Sequence, residues 1–490
     1  MLKRDQKDNQ VGRRDFLKTT SVASVAAALP GATLGAQNTE GSFKPGSAEA
    51  KKKLLCLSAS PETYEKLVES IKSIAGTDLL VSSIKIDYRD PQEITRTIRS
   101  RHPDIVLMCL SGFVFNYGSL NDSMGGLNVP LIVYTSNPEL ILIDANLVAS
   151  LRANGAQVAF SISEKQVLEL VKIAASPGIL ENRRAIVYGR RFDSTSVPAH
   201  NLTESRVYER TGVKMQYRPV EQLAALLKDV DEASALEEME RWKREAIEVI
   251  RVPDEEILNA SRLYVLLRSI IEKEELSAIS IDCLGFTMSP KPILPYPCLA
   301  FARLRDEGVT AACEADICGM LSSMFLQEIS RKPSFMCNLM SVDLDKSQIV
   351  LSHCVAPLRL NGSNAAPMKY RLHDYHGFGR GVVPEVEFPL GMEIVTGAFN
   401  KDLESFALWP GRIQTQVMNT DRSPSGKGIT LNACANTMDV KIRDADRFLQ
   451  NIPGIHQVMI AGGYAGAIED ALFGMNVRMI GPSDFTPPGA

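Results

Sequence analysis

From Lys52 onward the chain alternates short, unbroken apolar runs with amphipathic segments of helix length, and this pattern restricts the fold more than any other feature. Residues 54–58, 79–86, 105–109 and 129–134 read as strands, and 61–74 and 91–101 as helices. A strand that is apolar on both faces needs cover on both faces; helix-length connections supply that cover and let neighbouring strands run parallel. A second series of the same kind has strands at 184–189, 213–217, 278–283 and 309–312. Its helical segments are 229–250, 253–272, 298–307 and 315–330. The charge-dense part of 229–250 is read as a solvated helix face.

After about residue 335 the texture changes to short alternating runs at 348–353, 368–373, 382–388, 393–399 and 428–431, punctuated by Pro and Gly. Pro389-Leu390-Gly391 lies between two of them and predicts a hairpin. A last βα unit is expected from a helix at 443–450, a strand at 457–460 and a helix at 465–473. The expected fold class is therefore α/β, with two Rossmann-like parallel-sheet domains (51–180 and 181–334) and a β-rich C-terminal domain (335–490). A polar linker at 37–50 precedes them.

Residues 1–36 have a different character. Gly12-Arg13-Arg14-Asp15-Phe16-Leu17-Lys18 is followed by a weakly apolar Ala-, Val- and Ser-rich run and then by Pro30-Gly31-Ala32, the layout of a twin-arginine signal. Export to the periplasm is the expectation. The whole chain carries a formal charge of −4, and removal of 1–36 leaves −7. Neither value gives the basic excess that binding to a phosphate backbone draws on, so a nucleic-acid partner is not expected. No apolar run past the leader is long enough to span a bilayer. The nine cysteines contain no Cys-x-x-Cys and several sit inside apolar runs, so they read as buried small hydrophobes. Reduced cysteines suit a route that exports proteins already folded, often with a cofactor loaded.

Four of the six histidines, His353, His373, His376 and His456, fall in the last 140 residues. Cys313-Glu314-Ala315-Asp316 stands at a predicted strand end just before a helix, where open α/β sheets place their ligands. Glu314 with two or three of these histidines would suit a divalent ion that takes oxygen and imidazole donors. The same carboxylates could simply cap the helix, and spacing alone leaves both readings open. Gly377-Phe378-Gly379-Arg380-Gly381 is read as a hairpin or bulge rather than a dinucleotide loop.

Several segments together resemble the L-fucose and L-arabinose isomerase family and its sugar-isomerase-like relatives. They are Pro297-Cys298-Leu299-Ala300, Asp306-Glu307-Gly308, Ala311 to Asp316, Arg331 to Phe335, Leu351-Ser352-His353-Cys354, Tyr370 to His373, Arg412 to Gln416 and Gly454 to Val458. The resemblance spans 297–464 at the level of motifs. It implies a barrel-like C-terminal domain, trimeric or hexameric subunits, a divalent metal, typically Mn²⁺, and interconversion of an aldose and a ketose through an enediol. It also implies that Glu314 is ligand and base, that His456 and His353 are ligands, and that His373, Asn338 and Asp316 contact substrate. One departure stands out: the family's second carboxylate should fall where this chain has Asn338, which can accept and donate hydrogen bonds but cannot shuttle a proton. Asp343 or Asp345 could replace it after a shift of register. The sequence thus supports a metal-dependent isomerase acting on a small-molecule sugar or sugar derivative. The alternative is an exported sugar-binding homologue that has lost catalysis.

Overall fold

The computed structural model describes residues 51–490 except 76–78, 111–126, 128, 138, 140, 177, 190–201, 288, 290, 418–433 and 489–490. The twin-arginine leader, the linker and the run at 428–431 lie outside the described residues. The chain divides into two compact units between Ser176 and Pro177.

The first unit holds a five-stranded parallel sheet in the order β2-β1-β3-β4-β5. Its strands are β1 (Lys52–Ser58), β2 (Leu79–Lys85), β3 (Ile105–Leu110), β4 (Leu131–Thr135) and β5 (Val158–Ser161). Every residue of β3 and β4 is buried, as expected of central strands covered on both faces. Leu57, Met108, Val133, Ile94 and Leu147 meet in its core. Helix Pro91–Arg101 starts at Asp90, whose carboxylate accepts from Gln92 and Glu93 N–H, and ends at His102 in the left-handed region.

The second unit contains the other parallel sheet, in the order β10-β9-β6-β7. These strands are β6 (Arg184–Tyr188), β7 (Lys214–Arg218), β9 (Ala278–Ile281) and β10 (Thr310–Cys313). The charge-dense segment forms helix Glu232–Glu245 followed by a short strand, β8 (Glu248–Ile250), and its charges are not all solvated. Glu238 is buried against Arg303 at 2.7 Å, and the Arg303 guanidinium lies over the Trp242 ring at 4.1 Å. A buried ion pair needs such added contacts to offset its desolvation.

The C-terminal part is an antiparallel barrel. Its strands are β11 (Phe335–Asp343), β12 (Gln348–His353), β15 (Glu393–Phe399), β16 (Ser405–Val417), β17 (Asn436–Ile442) and β18 (His456–Ala461). They run in the order β15-β18-β11-β12-β17-β16, and β16 pairs back onto β15 to close the ring. β19 (Arg478–Ile480) adds to β16 in parallel. Closure leaves no edge strand within the ring. β13 (Tyr370–His373) and β14 (Val383–Val386) form a separate small sheet with β8. Pro389-Leu390-Gly391 does turn, with Gly391 at φ 80°, but the strands on either side join different sheets, so it is not a hairpin. β14 needs its partner β13, and β15 is held by β16 and β18.

Candidate functional site

The C-terminal end of β10 faces the barrel. Immediately after Cys313 the chain turns through Glu314 at φ 63° and Ala315 at φ 51°, two successive non-glycine residues in the left-handed region. Each costs of order 1–3 kcal/mol, a strain found where surrounding structure holds a functional side chain in place. Asp316 then caps helix Ile317–Ser330 by accepting from Gly319 N–H at 3.0 Å. The buried guanidinium of Arg305 donates to the Ala311 carbonyl at 2.8 Å and to the Val355 carbonyl, tying β10 to the segment that follows β12. Asn436 fixes the end of β12 by donating to the His353 and Pro384 carbonyls, while its own oxygen accepts from Val386 N–H.

These constraints bring Glu314, His353 and His456 together, with one donor atom from each within 4.8 Å of the others. Glu314 Oε1 is 3.6 Å from His353 Nε2 and Oε2 is 3.7 Å from His456 Nε2. Both distances are too long for hydrogen bonds. Asn338 stands opposite His456 on one side of β11 and Ser352 on the other, which puts it between the two histidine strands. His456 Nε2, both ring nitrogens of His353 and Asn338 Oδ1 are buried with no hydrogen-bond partner among the described residues. Buried polar atoms are normally paired, so a cluster of orphans facing one carboxylate fits a ligand or ion. The donor set, one carboxylate and two imidazoles, suits a borderline or hard divalent cation.

Electrostatics separate the roles of these groups. Burial pushes the Glu314 carboxyl up, but the two neighbouring imidazoles outweigh it and hold the group below its ordinary value. Burial pushes His456 down, but the bond to Asp316 and the charges of Asp316 and Glu314 raise it overall. Asp316 Oδ2 lies 2.7 Å from His456 Nδ1 with both side chains fully buried. That bond places the proton on Nδ1 and turns the Nε2 lone pair toward Glu314.

A cavity of ≈ 190 Å³ opens here, with Glu314, Asn338 and His353 in its lining. Asp316, expected from the resemblance to contact substrate, stands behind His456 and does not line this cavity. His373 is also absent from the lining; it is buried on β13 with Nε2 3.4 Å from Glu385 Oε2. Asp343 sits at the β11–β12 turn bonded to Lys346, and neither it nor Asp345 reaches the cavity, so Glu314 is the lone carboxylate of the described lining. A second donor group on the same wall, Cys354, His376 and Cys434, went unread in the sequence because its members are far apart and follow no ligand spacing.

No helix among the described residues is long and apolar enough to cross a membrane. No family model matches the chain. Sulfoquinovose isomerase of Priestia megaterium is 26% identical to it over 120 residues, covering 24% of this chain and 26% of that protein. Sulfoquinovose isomerase of Alkalicoccus urumqiensis is 27% identical over 133 residues, 27% of this chain and 29% of that protein. The chain thus spans between a quarter and a third of the length of the curated relatives it matches, a distant likeness to sugar isomerases.

Proposed function

We propose that this chain is a metal-dependent isomerase-like protein that acts on an aldose or a sugar derivative, exported by the twin-arginine route and working as a homo-oligomer. The observation that carries the reading is the convergence of Glu314, His353 and His456, with orphaned buried donors, beside a small cavity that Glu314 and His353 line and His456 does not. The likeness to sulfoquinovose isomerases supports the substrate class. The described lining contains no Lys or Arg, and its basic side chains are His353 and His376.

Glu314, His353 and His456 would hold the divalent ion, with Mn²⁺ the expected species, and Asn338 could add a neutral oxygen. Such an ion, when bound, polarises a sugar carbonyl and acidifies the adjacent C–H. Glu314, kept ionised at neutral pH by the imidazoles, is ready to ligate or to accept that proton. A carboxylate held low is a weak base, so it depends on the acidified C–H. Asp316 holds His456 in the ligating tautomer.

The test is mature protein incubated with Mn²⁺ and a panel of aldoses, sulfoquinovose included, in D₂O. Ketose formation with deuterium entering at C1 is expected, because the enediol is reprotonated there once the C2 proton has been removed. Glu314→Gln should abolish both conversion and stoichiometric Mn²⁺ binding. If that substitution changes neither, the reading is wrong. A second reading, sugar binding without catalysis, is favoured by Asn338 standing where the resembled family needs a second carboxylate.

A further inference from the structure

The glycine-rich segment after β13 has a use that the isomerase reading leaves unexplained. His376 lies in a tight turn at φ 52°, followed by Gly377 at 77°, Gly379 at 67° and Gly381 at 66°. A Cβ on Gly381 would come within 2.6 Å of the Tyr296 ring, so the chain passes too close there for any other residue. Asp374 accepts from Gly379 N–H and Glu256 accepts from Gly381 N–H, which pins the loop at both ends. The outcome is that His376, carried on a left-handed turn, aims its ring at two cysteines. Its Nε2 lies 3.2 Å from Cys354 Sγ and 4.0 Å from Cys434 Sγ.

We propose that Cys354, His376 and Cys434 form a second metal site, selective for a thiolate-preferring ion of the Zn²⁺ class, with its fourth position open to the cavity. The three donor atoms lie within 4.8 Å of one another. Zn–S bonds of ~2.3 Å and Zn–N bonds of ~2.0 Å at tetrahedral angles separate sulfur from nitrogen by roughly 3.6 Å. The two sulfur–nitrogen distances bracket that value. Thiolates and imidazole are the donors that select Zn²⁺ over Mn²⁺, whereas the carboxylate and imidazoles of the Glu314 set suit the harder ion. The two sets therefore sort two metals rather than compete for one. All three residues line the cavity, so an ion held by them would border it, with room for the water or substrate that completes three-ligand zinc sites. His353 and Cys354 are consecutive, and each supplies one set.

Wild-type mature protein, reduced and kept anaerobic, is titrated with Co²⁺ as a spectroscopic stand-in for Zn²⁺, and separately with Zn²⁺ and Mn²⁺. A thiolate-to-Co²⁺ charge-transfer band is expected in the near ultraviolet, removed by added Zn²⁺ and untouched by Mn²⁺. Cys434→Ser and His376→Ala, each checked for native circular dichroism, should lose the band or weaken Zn²⁺ by roughly 10-fold or more, since even outer-shell losses reach that size. Mn²⁺ binding should stay unchanged in both. Glu314→Gln should do the reverse, which separates failure of this site from failure of the isomerase reading. Absence of the band, its survival in both folded variants, or a Cys354–Cys434 disulfide in the anaerobically purified protein would overturn the proposal.

Discussion

Asp316→Asn isolates the part of the site that acts through another residue. The wild-type carboxylate does two jobs at once: Oδ1 accepts from Gly319 N–H at 3.0 Å and Oδ2 meets His456 Nδ1 at 2.7 Å. An amide has one oxygen and cannot do both. It also has little room to rotate, because a Cβ on Gly319 would already lie 2.9 Å from Asp316 Oδ2 and 2.8 Å from Met336 Sδ. If the amide oxygen keeps the helix cap, its NH₂ faces Nδ1, and the imidazole must move its proton to Nε2, the nitrogen needed for an ion. Loss of such a partner lowers metal affinity by roughly 10–100-fold, or about 1.4–2.8 kcal/mol. If the oxygen turns to His456 instead, the cap fails at a cost of about 0.5–2 kcal/mol in stability. Mn²⁺ titration by calorimetry together with thermal unfolding of the metal-free protein reads both outcomes. Wild-type affinity combined with an unshifted melting temperature would refute the tautomer argument.

Two further substitutions probe the neighbourhood. Burial pushes the Asp306 carboxyl up to about 7, outweighing the bond from Arg359 N–H and the nearby Arg303 and Arg359 charges that pull it down. The unfolded carboxyl titrates near ~3.9, so the native state binds the extra proton between those values and wild-type stability falls as pH rises from 4 to 7. Asp306→Asn should remove that slope, gaining up to ~4 kcal/mol relative to wild type above pH 7 and nothing near pH 4, as read by urea unfolding at several pH values. Asn338→Asp restores a carboxylate between the histidine strands and should raise aldose turnover in the Mn²⁺-loaded protein by at least about 10-fold, the low end of what a general acid or base contributes. Unchanged turnover with metal bound would mean that the missing carboxylate is not what limits catalysis.

The parallel sheets were legible because β3 and β4 are apolar at every position, a signal that survives without alignment. β16 was not: it is missing from the alternating runs, and it contains Pro410 and Gly411, residue types that seldom lie inside a strand. They mark the place where a 13-residue strand passes from β15 to β17, and Gly411 is needed there, since a Cβ would meet Val440 at 2.8 Å. Residues 314, 353 and 456 were found through strand-end position and family motifs. The part of Asp316 was hidden, because a helix cap and a histidine partner have the same sequence signature. Cys354 and Cys434 read as small apolar residues for the reason that most cysteines here are just that: Cys56, Cys109 and Cys337 are buried in strands. Only the loop that carries His376 distinguishes the pair.

The closed ring also governs when the site comes into being. Asp316 and His456, in direct contact, are 140 residues apart in sequence, and β18 is inserted between β11 and β15 only after nearly all of the chain has been made. No local fragment can assemble the carboxylate and both imidazoles. Contacts of such long sequence separation form slowly, since loop-closure entropy is spent before they return anything. An ion held by Glu314, His353 and His456 would therefore bind only the finished molecule, and its uptake would serve as a readout of completed folding.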